Sequence, residues 1–528
     1  MGRIDRRQAL LGAGAAAIGA LAACGSAGQA PPNTPVASSA RKASKAPAVK
    51  RAALTSTVEE NRKKGDPRWR IDRVGGLHEI EGWADRTSVK PGEKVGLHIS
   101  TTAATYRVTV ARTGYYQGCY GRRVWQSGVL KGEVGAPPRI IAPTNTVVTD
   151  WPVSLTLDTT GWVPGFYAIR LDADSGGQRY IMLAVKSGDA HGKVVMLNAD
   201  TTWQAYNVFG GYSLYLGPNG AFATRARAVT FDRPYGGNEG AQGDGEFMVN
   251  LLPLVALVEG SGYEAEYLSD TDLHADPHCL DGAVAVLSPG HDEYYSVEMR
   301  EHLTAARDRG TNLAFLGSNA VYRHIRLGST SVGENRLQTC YKVPEEDPLY
   351  GKDNALVTGQ WRYAPNPRPE SVLTGVFYES NPCNADMVVR NPNHWLLAGT
   401  GATDGMRLPG LVGPEYDRVN LAVETPRPIE VLARSPLICN GVATHSDMAY
   451  YTTPSGAGVL STGTNWWIQA IGGSKGPESH RFTGAVTKNM LHVFAKGPAG
   501  HQHPAVDNLA ALGTVSSAGQ PVVRAGPG

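Results

Sequence analysis

The chain has little cysteine: six in 528 residues. Beyond Cys24 they are Cys119, Cys279, Cys340, Cys383 and Cys439, and no two form a Cys-x-x-Cys pair. That spacing excludes a zinc ribbon or a thioredoxin-type site. Excess charge is also missing, since 50 Lys and Arg face 48 Asp and Glu, and nothing in that balance points to nucleic acid. The one apolar run near the N-terminus, Ala9 to Ala23, is too short and too weakly apolar for a membrane span.

What that N-terminus does contain reads as an export signal. Arg6-Arg7 precede the apolar run, which ends at Leu21-Ala-Ala-Cys24. A charged start, a short apolar stretch and small residues before a cysteine fit a bacterial lipoprotein signal, and the paired arginines fit a twin-arginine signal loosely. The expectation is removal of residues 1–24, lipidation of Cys24 and anchoring to the outer face of the cytoplasmic membrane. Residues 25–65, rich in Ala, Ser and Pro without an apolar period, read as a disordered tether.

Two folded regions follow. Residues 66–188 show alternating runs such as Val95-Gly-Leu-His-Ile-Ser100 and Tyr106-Arg-Val-Thr-Val-Ala111, separated by Pro-Gly turns. This spacing predicts an all-β sandwich of immunoglobulin-like type. Residues 189–498 change pattern. Apolar runs at Val194–Asn198, Glu264–Leu268, Val284–Leu287 and Asn312–Gly317 alternate with helical segments, one from Phe247 to about Ser261 and one after Ser296 as N-cap. Such alternation predicts an α/β, doubly wound, mostly parallel sheet. Residues between about Cys340 and Asp447 look irregular, and residues 499–528 read as a flexible tail. An exported chain pairs cysteines, and Cys340 with Cys383 is the expected bridge.

The richest stretch is Ser288-Pro-Gly-His291-Asp-Glu293-Tyr-Tyr-Ser296, where a buried strand leaves its sheet. Ligands and catalytic groups collect at the carboxyl ends of strands in open α/β sheets. Phenolates and carboxylates are hard oxygen donors, suited to a hard trivalent metal that polarises a carbonyl and activates water. His291 stands where it can move a proton, and Asn319 where it can donate to an oxyanion. Each residue also has a plain structural role available. Tyr206 and Tyr235 can pack in aromatic or Gly- and Pro-rich turns, and Glu293 can sit at a helix N-terminus. Asn319 can form an Asx turn, and Glu415, His445 and Asp447 can belong to polar turns. Gly317-Ser318-Asn319 lacks the G-x-S-x-G pattern of a serine elbow.

Thr202-Trp-Gln-Ala-Tyr206-Asn207, Asp232-Arg-Pro-Tyr235, Gly290-His291-Asp-Glu293-Tyr, Leu316-Gly-Ser-Asn319, Gly410-Leu-Val-Gly-Pro-Glu415-Tyr-Asp417 and Thr462-Gly-Thr-Asn-Trp466 occur in this order. Together, from about Gly192 to Lys496, they resemble the large subunit of N,N-dimethylformamidase. The resemblance implies a fold like a class I glutamine amidotransferase and a mononuclear ferric iron, Fe(3+), held by Tyr206, Tyr235 and Glu293. It places His291 and Asn319 beside the iron-bound water and the substrate carbonyl, with Glu415 in the pocket. The export signal and the separate β-domain depart from that family, so the fold and metal site carry over more readily than the substrate does.

The expectation is therefore an exported, lipid-anchored, metal-dependent hydrolase of an amide or related C–N bond, acting on a small amide-like molecule, with homo-oligomerisation open. The rivals are a metal-free cell-envelope binding protein on the same fold and a serine hydrolase using Ser318 with His291 or His445.

Overall fold

Alternating apolar side chains set the first region. In the computed structural model, which describes residues 56–236 and 244–512, Ile80–Ala84, Lys94–Thr101 and Leu155–Asp158 form a three-stranded antiparallel sheet. A six-stranded sheet faces it, centred on Thr105–Thr113, Gly165–Ala173 and Gln178–Val185. Leu97 and Leu157 of the first sheet meet Val108, Ile169 and Leu183 of the second in one buried core.

The second region is a seven-stranded mixed sheet. Ala265–Ser269, Val194–Asn198, Ala285–Ser288, Asn312–Phe315 and Gly458–Ser461 run parallel in that spatial order. Two antiparallel strands, Val442–Thr452 and Ile429–Cys439, complete the edge. Buried on both faces, the parallel strands are mainly apolar, as such strands usually are, with polar residues such as Asn198, Ser288 and Asn312 at their ends. Met196 and Leu287 pack with helices Leu252–Gly260 and Gly476–Phe494 on one face. Val195, Leu197 and Val286 pack with helix Val297–Asp308 on the other. Ser296 caps that helix, accepting from Met299 N–H at 3.2 Å.

Several expectations need correction. The helix expected over Phe247–Ser261 is two, Asp244–Asn250 and Leu252–Gly260, because Pro253 cannot donate to a preceding turn and starts a new helix. The irregular stretch before Asp447 contains the long hairpin Ile429–Cys439/Val442–Thr452, whose tip is Asn440-Gly441. Asn-Gly between strand-forming residues is the signal that identifies it. The tether expected over residues 25–65 is ordered from Ser56: helix Thr57–Asn61 buries Glu60, which accepts from Tyr116 Oη at 2.9 Å and Arg122 Nε at 2.8 Å. The tail expected from residue 499 is folded through at least Leu512, with Asn508 Oδ1 accepting from Val431 N–H at 2.8 Å. Cys340 and Cys383 are both free thiols. The export signal and Cys24 lie outside the described residues, and among those residues no helix is long and apolar enough to cross a membrane.

The described residues all fall within one compact unit, Ala53–Gly528. The sandwich meets the mixed sheet through a shared apolar core, in which Phe166 packs on Phe247 and Tyr267, and through a buried ion pair. Arg112, on a sandwich strand, donates from both terminal nitrogens to Glu259 at 3.1 and 3.0 Å, and both side chains are fully buried. Tyr267 Oη and Asn61 Nδ2 also donate to this carboxylate at 2.5 Å each. Removing one partner of a buried pair strands the other charge. Glu259→Gln is expected to cost about 3–5 kcal/mol in urea denaturation followed by tryptophan fluorescence. The paired replacement Arg112→Met/Glu259→Leu should recover most of that loss; a double variant as weak as the single would contradict the assignment.

Candidate functional site

Four neighbouring parallel strands deliver the site at their carboxyl ends. After Val194–Asn198 comes the helix Asp200–Tyr206, which ends in a phenol; after Ala285–Ser288 come His291 and Glu293; after Asn312–Phe315 comes Asn319; after Gly458–Ser461 comes Asn465. The loops touch closely. A Cβ on Gly317 would stand 2.3 Å from the carbonyl oxygen of Gly290, so only glycine lets these two loop starts meet. Asn319 (φ 60°) and Val321 (φ 57°) both occupy the left-handed region. Asn tolerates it, whereas a β-branched residue there is strained, and such strain gathers at functional sites.

Glu293 is the centre. Its carboxylate is 1% exposed and accepts from Tyr206 Oη at 2.7 Å and Arg323 Nε at 3.2 Å. Tyr215 Oη lies 2.8 Å from Tyr206 Oη and 3.2 Å from each Glu293 oxygen. Behind it, Lys342 Nζ donates to Tyr294 Oη at 2.5 Å, and Tyr294 Oη donates to Tyr215 Oη at 2.7 Å. His291 Nε2 is 3.7 Å from Glu293 Oε2, and its Nδ1 is 3.6 Å from Glu246 Oε1; both are ion-pair separations, too long for hydrogen bonds. Glu415 faces His291, Glu293, Asn319 and Asn465. It accepts from Asn381 Nδ2 at 3.2 Å and Asn465 Nδ2 at 3.3 Å.

The electrostatics follow from burial against partners. Burial alone would raise Glu293, but His291, Lys342 and Arg323 outweigh it and hold the carboxyl at about 2. Burial would lower His291, yet the carboxylates of Glu246 and Glu293 hold it well above the usual imidazole range. Burial, with Glu293 beside them, pushes the phenols of Tyr206 and Tyr215 well up. Burial and the Arg323 charge push Lys342 well down. Burial likewise raises Glu415.

Of the residues singled out in the sequence, Tyr206, His291, Glu293, Asn319 and Glu415 come together. Tyr235 does not take the place expected for it. Its ring stands edge-on to Trp203 at 6.4 Å and lines a cavity with Asp200, Gln204, Arg233 and, from the sandwich, Trp83. The second phenol beside Glu293 is Tyr215. Gly210 (φ 74°) and Gly211 (φ 85°) turn the chain back, so that Leu214 N–H reaches Ala205 O at 3.0 Å and the Tyr206 and Tyr215 rings stack at 4.5 Å. That glycine pair, two aromatics and a nine-residue return were the available signal. Arg323 and Lys342 carried none. Among the rival groups, Ser318 is held by Asn465 Oδ1 through both N–H and Oγ at 2.9 and 2.8 Å. Asp447 is bound to Arg434, to His445 and to Val419 N–H, which makes it a structural carboxylate.

Two polar atoms in the site are buried without a hydrogen-bond partner, His291 Nε2 and Asn319 Oδ1. Buried polar atoms are normally satisfied, so such orphans mark where another group belongs. Among the described residues no three His, Cys, Asp or Glu side chains group as a metal site. Tyr206, Tyr215 and Glu293 present oxygens 2.7–3.2 Å apart, which on loss of the two phenol protons would be a hard anionic donor set that fits a trivalent ion.

Next to the site, Asp417 accepts from Asn319 N–H at 2.9 Å. Burial first, then the nearby charges of Glu415 and Glu379 opposed by Arg362, push its carboxyl up to about 7. A carboxyl raised on folding stabilises the native state fully below its unfolded value. That contribution is lost as pH rises from about 4 through about 7. Asp417→Asn should remove this slope, worth at most on the order of 4 kcal/mol, from the difference in urea midpoint between pH 4 and 8. Parallel pH profiles for the two proteins would contradict it.

A family model described as N,N-dimethylformamidase beta subunit-like, C-terminal, matches residues 107–480. No curated protein matches the chain. Among solved structures, a crystal structure of the Paenibacillus sp. cycloisomaltooligosaccharide glucanotransferase complexed with cycloisomaltoheptaose is 13% identical, covering 26% of this chain and 19% of that one at a TM-score of 0.15. A likeness that small bears on neither fold nor site.

Proposed function

The chain belongs to the N,N-dimethylformamidase beta subunit-like family, and on that premise we propose that it is an iron-dependent hydrolase of an amide C–N bond, working at the Tyr206, Tyr215 and Glu293 cluster. The observation that carries this is the convergence of two phenols and one ionised carboxylate within 3.2 Å, beside two orphaned polar atoms. Bound there, ferric iron would polarise the substrate carbonyl and acidify a bound water.

The chain's own residues do the rest. Arg323 balances the negative charge of the donor set from the protein side, and Lys342 supports Tyr215 through Tyr294. His291, between Glu246 and Glu293, holds a proton and passes it from its free Nε2. Asn319 binds substrate with its amide: as it stands its oxygen accepts a donor, and turned by half a rotation its NH₂ group donates to a carbonyl oxygen. Glu415, kept protonated more readily by burial, sits ready to give a proton to the leaving amine. Tyr206, Tyr215 and His291 are only partly buried, which leaves this side of the cluster open to a small substrate.

The scaffold is taken with this as glutamine amidotransferase-like, and the sandwich as immunoglobulin-like. Export and a lipid anchor at Cys24 complete the proposal. Cys24→Ala should move the protein from the membrane fraction to the soluble exported fraction; retention at the membrane would count against the anchor.

The decisive test is metal analysis with a visible spectrum. The purified protein should hold about one iron per chain and show a tyrosinate-to-iron charge-transfer band. Tyr206→Phe and Tyr215→Phe should each lose or shift the band, while Tyr235→Phe keeps it. Glu293→Ala should lower amide hydrolysis by at least about 10³-fold, as expected for loss of a group central to transition-state stabilisation. A colourless protein that cannot be loaded with iron would sink the hydrolase and favour a ligand-binding protein on the same fold.

A further inference from the structure

The five cysteines of the described residues are all free thiols, and two of them share one neighbourhood. Cys383 lies in the loop between strands Phe377–Ser380 and Ala385–Val388. Cys439 ends the strand Ile429–Cys439, one residue before the hairpin tip. Both belong to the same buried cluster. Cys439 Sγ approaches the carbonyl oxygen of Pro382, the residue before Cys383, at 3.5 Å. Asn440 Nδ2 then donates to Ser380 Oγ and to Asn381 O at 3.0 Å each, which lays the hairpin tip along residues 380–383.

That same loop holds the segment bearing Glu415. Cys383 N–H donates to Pro414 O at 2.8 Å. A Cβ on Gly413 would stand 2.3 Å from Cys383 O, so the two backbones are in close contact. Asn381 Nδ2 reaches Glu415 Oε1 at 3.2 Å.

We propose that Cys383 and Cys439 form a disulfide that fastens the hairpin tip to the loop supporting Glu415. The chemistry is thiol–disulfide exchange with an external disulfide of the glutathione class. One thiolate attacks that disulfide and expels a thiolate, forming a mixed disulfide. The second thiolate then attacks the protein sulfur of the mixed disulfide and expels the other thiolate. Two protein S–H bonds and one external S–S bond are broken, one protein S–S bond is formed, and the external disulfide takes up the two electrons and two protons as two thiols. Burial, and then the neighbouring Cys439, push the Cys383 thiol up to about 12. Exchange in the folded protein is therefore slow, and the bond forms most readily before the hairpin closes. Neither metal binding nor the identity of the substrate enters this inference.

The test is non-reducing peptide mapping of the full chain after folding in a mixture of oxidised and reduced glutathione, with free thiols alkylated. A cross-linked peptide pair containing Cys383 and Cys439, split by reduction, is expected, with Cys119, Cys279 and Cys340 alkylated. Alkylation of both Cys383 and Cys439, or their pairing with other cysteines, would overturn the proposal. A second measurement separates a lock from a passive bond. Reduction should lower the melting temperature of the native chain by several degrees and leave that of Cys439→Ser unmoved. An unchanged melting temperature on reducing the cross-linked chain would overturn the fastening role.

Discussion

A carboxylate almost wholly out of water, Glu293, has to be compensated, and much of the local structure is the compensation. Burying an ionised group without partners costs several kcal/mol. Arg323 supplies a guanidinium, Tyr206 and Tyr215 supply hydroxyls, and Thr202 Oγ1 accepts the Glu293 N–H at 2.9 Å. Each of those groups then needs its own support. Tyr215 is backed by Tyr294, and Tyr294 by Lys342, a buried lysine whose Nζ also stands 3.4 Å over the Tyr215 ring. The same arrangement leaves His291 Nε2 and Asn319 Oδ1 with open hydrogen-bonding capacity at the centre.

The parallel sheet makes that crowding possible. Strands about 4.8 Å apart, all ending at one edge, bring residues distant in sequence within reach of one carboxylate. The loops must approach closely, which Gly290 and Gly317 allow, and the backbone must turn unusually at Asn319 and Val321. The mixed edge serves the same end. The hairpin from Ile429 to Thr452 supports the segment that follows Glu415 and Asp417, with Val419 N–H donating to Asp447 Oδ2 at 3.1 Å. The sandwich joins the assembly through a shared apolar core and through Arg112 and Glu259, where the charge pair and five further hydrogen-bond partners, Asn61, Thr113, Tyr116, Pro164 and Tyr267, are buried. Its contribution is to hold the helix bearing Glu259, which packs on the sheet from the opposite side to the Val297–Asp308 helix.

Much of this was legible residue by residue. The parallel strands announced themselves as short apolar runs ended by Pro-Gly or Gly-Ser, and His291, Glu293 and Asn319 sit directly after them. Period-two alternation marked the sandwich. The long hairpin was missed although Asn440-Gly441 is a strong turn signal, because Pro436 and charged residues blur the alternation around it. The ordered Thr57–Asn61 helix was missed because its stability comes from Arg122, Tyr116 and Glu264, none of them local. An isolated five-residue helix is unstable in water, so no local pattern could predict it.

By itself the sequence determined the alternation of strand and helix, the carboxyl-end loops and the residue types for hard-donor chemistry, since these depend on local periodicity and on side-chain chemistry. Only the tertiary structure decided which tyrosine stands beside Glu293. Tyr215 and Tyr235 are equally plausible phenols in a list, but the turn at Gly210-Gly211 carries one back to the carboxylate, and Trp203 holds the other at a separate cavity. It also decided that Arg323 pairs with Glu293, that Lys342 backs Tyr294, and that Cys439, not Cys340, is the neighbour of Cys383. Those are long-range contacts, set by how whole elements pack, and the spacing of residues along the chain does not encode them.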